Sequence, residues 1–265
     1  MRSTAAALLF LAVALVSACG RTTRALDAKG GSLPSLGRRC GTAAAGVKAK
    51  VGWFTATDGV LLDGASLGDG KTGIVFAHES PADLCGWLPY AKVLSAAGFR
   101  VLAFDHRHFG LSQSPIAADK CGRFSKDLAG AVTELVHEGA RKVFLMGASF
   151  GGITSMVAGS RLGSKVAGVI SVSGEKQLAN RCGPAAELDA LDAVPRLRAP
   201  FLIIGSREDG FLPTSDARAL LRRAGSPHKR LVLFPGGDHG WEILENAPYR
   251  ARANAVVQDF LRRYE

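Results

Sequence analysis

The sequence predicts an α/β fold, with a mostly parallel central sheet, helices on both faces and only a small cap. Three observations carry this. Short apolar runs recur along the chain, and segments of helical period separate them. The runs are apolar at successive positions rather than alternating, as in strands buried on both faces. One of them, residues 143–146, leads directly into Gly147-Ala148-Ser149-Phe150-Gly151-Gly152 and a helix-compatible stretch. A strand, a tight turn and a helix in immediate succession belong to sheets whose crossovers are helical.

Taken in order, the chain of 265 residues opens on an apolar run, residues 5–16, after Arg2. The run is shorter than the roughly 20 residues of a membrane-spanning helix. It reads as the core of a secretory signal covering residues 1–18. Val16-Ser17-Ala18-Cys19 resembles the bacterial lipobox, in whose precursors the cysteine takes the lipid (palmitate among its acyl chains) and becomes the mature N-terminus. The expected location is the outer face of a bacterial cell membrane, with Cys19 as the lipid attachment site; the alternative is a plainly secreted protein. Residues 19–46, rich in Gly, Ala, Ser and Arg, read as a flexible tether. The folded domain is expected over residues 47–265.

Residues 47–56 and 60–67 predict two strands around the turn Thr57-Asp58-Gly59. Residues 73–78, 101–105, 143–146, 166–172, 200–205 and 230–234 predict the remaining strands. Between them, Trp87, Ala91 and Leu94 share a helical face, as do Phe124, Leu128, Val132 and Leu135, then Ala217, Leu220, Leu221 and Ala224. Tyr249, Ala253, Val256, Val257, Phe260 and Leu261 give a last amphipathic helix. The one long connection, residues 173–198, has room for a small cap helix near residues 187–193 and for no large lid.

Open α/β sheets place their sites at the carboxyl ends of the strands. Ser149 stands at such an end, at the N-terminus of the following helix, where the dipole favours negative charge. A serine hydroxyl is a poor nucleophile until a base takes its proton, and the base needs an orienting acid. Asp209 follows the strand at residues 200–205 and His239 follows the strand at residues 230–234, so the chain order is Ser149, Asp209, His239. Glu208 is the alternative acid. His78 and His108 read as packing and hydrogen-bonding residues, and His106, His137 and His228 as surface or loop residues.

From about residue 47 onward the sequence resembles the α/β-hydrolase fold family. The resemblance rests on Gly147-Ala148-Ser149-Phe150-Gly151, on Gly205, Asp209 and Pro213 in the acid loop, and on Gly236, His239 and Gly240 in the histidine loop. It rests also on Asp105-His106-Arg107-His108-Phe109-Gly110-Leu111-Ser112, similar to the family's D-x-R-G-x-G-x-S, and on His78 as the first residue of its H-G loop. Glu79 and His108 stand where the family has glycine. The resemblance implies Ser149, Asp209 and His239 as catalytic triad, and the backbone N–H groups of Phe150 and Ser80 as oxyanion hole. It implies a serine hydrolase without cofactor or metal, most simply a carboxylesterase acting on a small ester. Lipase, thioesterase and peptidase chemistry with the same triad are the alternatives, as is a binding module that keeps the scaffold without turnover.

Besides Cys19, the chain holds Cys40, Cys85, Cys121 and Cys182, an even number that suits disulfides in an exported protein. Cys85 and Cys121 lie in loops after strands at one edge of the sheet, which favours that pair and leaves Cys40 with Cys182. The net charge is +10. Its clusters, such as Arg218, Arg222, Arg223, Lys229 and Arg230, suit exposed helix faces and, in a tethered domain, attraction to an anionic membrane. No segment matches a nucleic-acid module.

Overall fold

In the computed structural model, residues 33–115, 122–178, 188–245 and 249–265 are described. The expected signal, Cys19, Cys121, Cys182 and residues 179–187 of the cap stretch lie outside them. A short helix, α1 (Leu36–Cys40), precedes the strands β1 (Lys50–Thr55), β2 (Leu61–Leu67) and β3 (Thr72–Ala77). Strand and helix then alternate: α2 (Leu88–Ala96), β4 (Arg100–Phe104), α3 (Phe124–His137), β5 (Lys142–Ala148), α4 (Phe150–Leu162), β6 (Gly168–Val172). The chain continues with α5 (Ala190–Ala193), β7 (Phe201–Ser206), α6 (Thr214–Arg223), β8 (Lys229–Phe234), α7 (Glu242–Glu245) and α8 (Arg250–Tyr264).

The eight strands form one sheet in the order β1-β2-β4-β3-β5-β6-β7-β8. β2 runs antiparallel to both its neighbours, and all pairs from β4 to β8 are parallel. The reason is visible in the side chains. On β3, Val75 and Ala77 face one apolar layer while Ile74 and Phe76 face the other. On β5, Val143 and Leu145 oppose Phe144 and Met146 in the same way. A strand apolar on both faces needs a helix on each side. The layer of α3, α4, α5 and α6 covers one face, and α1, α2, α7 and α8 cover the other.

Residues 36–44 are not a free tether. Leu36 is buried, α1 packs on the short 3₁₀ turn at Leu84–Trp87, and Cys40 is bonded to Cys85 with Cα atoms 5.2 Å apart. This corrects the expected Cys85–Cys121 and Cys40–Cys182 pairs. The loops after β3 and β4 do leave the same edge of the sheet, but they turn to opposite faces. Asp83 accepts the N–H of Cys85 at 2.9 Å and so starts the turn toward the α2 layer, whereas the segment after residue 121 enters α3 on the other face. Arg39 completes the attachment. Its guanidinium lies between two buried carboxylates, paired with Asp63 of β2 and bonded to Asp105 after β4 at 3.1 Å.

Candidate active site

The glycines around Ser149 are set by close approach. A Cβ on Gly147 would lie 2.0 Å from the carbonyl oxygen of Gly151, and one on Gly151 would lie 2.0 Å from that of Ala77. Only bare backbone lets α4 start directly over the ends of β3 and β5. The turn is tight enough to hold Ser149 at φ +48°, a region that costs a side-chain-bearing residue about 1–2 kcal/mol. The Ser149 N–H still bonds to Val172 of β6 at 2.8 Å, which fixes the strained residue to the sheet. Phe150 opens α4, so its N–H belongs to the first turn, whose donors have no partner within the helix.

Asp209 lies three residues past β7 and is 4% exposed. Its Oδ1 accepts the N–H groups of Phe211 and Leu212 at 2.9 and 3.1 Å, which orient the carboxylate. His239 follows β8, and its Nδ1 lies 3.0 Å from both Asp209 oxygens. Burial works to raise the Asp209 carboxyl, but the bonds from His239, Phe211 and Leu212 outweigh it and hold the group below its ordinary 3.8. Burial likewise opposes charge on His239, but the bond and charge of Asp209 lift it above 6.5, helped by Glu79 and Glu175. With Nδ1 donating to Asp209, Nε2 is the basic nitrogen of the neutral ring.

The loop after β3 is ordered by a histidine that never meets solvent. His78 Nε2 accepts the backbone N–H of His106 at 3.1 Å, so Nδ1 carries the proton and donates to the carbonyl of Glu79 at 2.9 Å. Burial, with His106 beside it, pushes the His78 pKa down and keeps the ring neutral. The Glu79–Ser80 peptide is trans, so holding the carbonyl toward His78 turns the Ser80 N–H the opposite way. Glu79 itself stays out of the left-handed region; among the described residues the non-glycines there are His108, Ser149 and Ser173. The side chain in place of glycine therefore brings no backbone strain.

Sequence reasoning missed several groups. His106 is fully buried rather than a surface residue, with Nδ1 at 3.4 Å from Asp127 and Nε2 at 3.5 Å from Thr154, because it forms the inner wall between β4 and α4. His108 holds φ +72°, a conformation that glycine adopts more readily than a residue with a side chain. Glu175, just past β6, interacts electrostatically with His239 and Asp209, and burial raises its pKa. Its place two residues beyond Ser173 at a strand end was the available signal. Phe211, 65% exposed, sets its ring 4.7 Å from the His239 ring.

Comparison with known proteins agrees with this fold. An esterase of Pyrococcus furiosus, Pf2001, superposes with a TM-score of 0.71 at 18% identity, over 88% of this chain and 96% of that one. This chain has the α/β-hydrolase fold. A monoacylglycerol lipase of Paleococcus ferrophilus shares the fold at a TM-score of 0.64 and 18% identity, over 77% of this chain and 99% of the lipase. The family model described as serine aminopeptidase S33 matches residues 73–188, from β3 into the cap stretch of the α/β-hydrolase fold. The Bacillus subtilis AB hydrolase superfamily protein YfhM is 34% identical over 103 residues, 37% of this chain and 35% of its own length. The uncharacterized protein YqkD of the same bacterium is 24% identical over 222 residues, 71% of this chain and 70% of its own.

Proposed function

We propose that the protein is an exported, lipid-anchored serine hydrolase that cleaves carboxylic esters through an acyl-enzyme. The observation that carries the reading is the Asp209–His239 pair, 3.0 Å apart, at the same sheet end as a strained serine on a strand-to-helix turn. Ser149 Oγ attacks the ester carbonyl while His239 Nε2 takes its proton. Asp209 holds the ring and stabilises the imidazolium. The N–H groups of Phe150 and Ser80 receive the oxyanion, each worth about 3–4 kcal/mol of barrier. Collapse breaks the acyl–oxygen bond, and His239 protonates the departing alcohol. Water, deprotonated by His239, then releases the acid and restores Ser149. The chemistry needs no cofactor.

A fluorophosphonate tests the reading without knowledge of the substrate. Wild-type protein is expected to be labelled at Ser149 with loss of fluoride, and Ser149→Ala to be unlabelled. Labelling that survives in Ser149→Ala, or none in the wild type, rejects it. The match to a serine aminopeptidase model favours an amide-cleaving second reading. Rates on p-nitrophenyl esters and on aminoacyl p-nitroanilides separate the two.

A further inference from the structure

We propose that Glu79, the residue in place of the oxyanion-loop glycine, is a positioning residue that ties that loop to the loop of His239 and stabilises the imidazolium. The contact is direct. The Glu79 carboxylate faces the histidine loop at Gly240 and Trp241, and its Oε2 is buried with no hydrogen-bond partner among the described residues. A Cβ on Gly240 would fall 1.8 Å from Glu79 Oε2, so the carboxylate lies against the bare Cα of the residue after His239. Gly240 holds φ +59°, the conformation that lets the loop bend over the carboxylate. The Trp241 ring, in turn, occupies the space over Gly86 and meets Trp87 edge-on at 5.9 Å. The histidine loop is thereby held on two sides, bonded to Asp209 at the ring and packed on Glu79 at the bare Cα of Gly240.

The charge has its own effect. His239 is faced by Asp209 after β7, Glu79 after β3 and Glu175 after β6, and Glu242 of α7 approaches its backbone N–H at 3.4 Å. Glu79 is faced by His239 and by Glu242 and Glu245 of α7. Burial pushes Glu79 up to about 6, below the raised range of His239, so Glu79 is anionic where His239 changes state. One interaction then appears twice, as a higher acid limb and as a faster step through the imidazolium.

The proposal rests on the Ser149–His239–Asp209 reading, and the experiment keeps the two apart. The second-order rate of fluorophosphonate labelling is followed from pH 5 to 9 for the wild type, Glu79→Gln and Glu79→Asp. Glutamine keeps the size and shape that pack against Gly240 and removes the charge. Its acid limb is expected to fall by about 0.5–1 pH unit, with the plateau rate down roughly three- to tenfold. Glu79→Asp keeps the charge and is expected to hold the limb near the wild-type position even where its plateau falls. Limbs that coincide in wild type and Glu79→Gln overturn the proposal and leave the triad standing. A Glu79→Asp limb lowered as far as that of Glu79→Gln also overturns it. A wild type that is not labelled overturns the triad and this proposal with it.

Discussion

His239 and Asp209 illustrate how two groups set one working range. Only neutral His239 can take a proton from Ser149, and its folded pKa lies above 6.5 because the Asp209 carboxylate and two further acids face it. Activity is therefore expected to fall as pH drops through a midpoint above 6.5, where the ring becomes charged. Asp209→Asn removes the anion that orients the ring, and Nδ1 then has no charged acceptor. The expected result is a midpoint at lower pH and a turnover decreased about 10³–10⁴-fold, read as ester hydrolysis across pH 5–9. An unchanged midpoint would reject Asp209 as the acid. These residues were legible in the sequence because each stands just past an apolar run, in a chain order that a sheet brings to one end. Glu79 was legible only as a departure from glycine. Its partners Gly240 and Trp241 lie at the far end of the chain, and nothing local in residues 78–80 announces them.

At the scale of elements, the strands announced themselves and α1 did not. β3 and β5 are apolar on both faces, and no other local structure suits such runs between turn residues. α1 has one buried apolar side chain, Leu36, and its position is set by Arg39 and Cys40 acting across the chain. Burial pushes Asp63 up to about 6 despite Arg39, which opposes the shift. Removing the guanidinium raises that pKa further, so the folded state binds a proton that the unfolded chain releases near 3.8. Stability then falls as pH climbs through the folded pKa. Arg39→Ala is expected to cost about 3–5 kcal/mol near pH 7.5, as for a buried charge deprived of its partner, and distinctly less near pH 5. Breaking the disulfide by Cys40→Ser, which opens a loop with a sequence separation of 45, is expected to cost about 3–4 kcal/mol with far weaker pH dependence. Urea unfolding of both variants at the two pH values checks this. Equal losses for Arg39→Ala at both would show that its partners are not buried carboxylates.

For the whole molecule, the disulfide bears on where the protein works. Disulfides persist in oxidising compartments, so the Cys40–Cys85 bond supports the proposed export independently of the signal. The folded body begins by Ser35, the cap of α1, rather than at residue 47. If Cys19 carries the lipid, residues 20–34 alone link it to that body, at most roughly 50 Å of chain. That span keeps the domain near the bilayer, within reach of esters that partition into it. A single acyl chain binds a membrane only marginally, so stable retention calls for several chains on one cysteine or for added attraction. The basic side chains of α6, Arg218, Arg222 and Arg223, are suited to such attraction toward an anionic surface. Cys19→Ser is accordingly expected to move the protein from the membrane fraction to the soluble exported fraction, while fluorophosphonate still labels Ser149 at the wild-type rate. Retention of Cys19→Ser in the membrane fraction at high salt would reject the anchor; retention lost only on adding salt would assign the residual binding to the basic face.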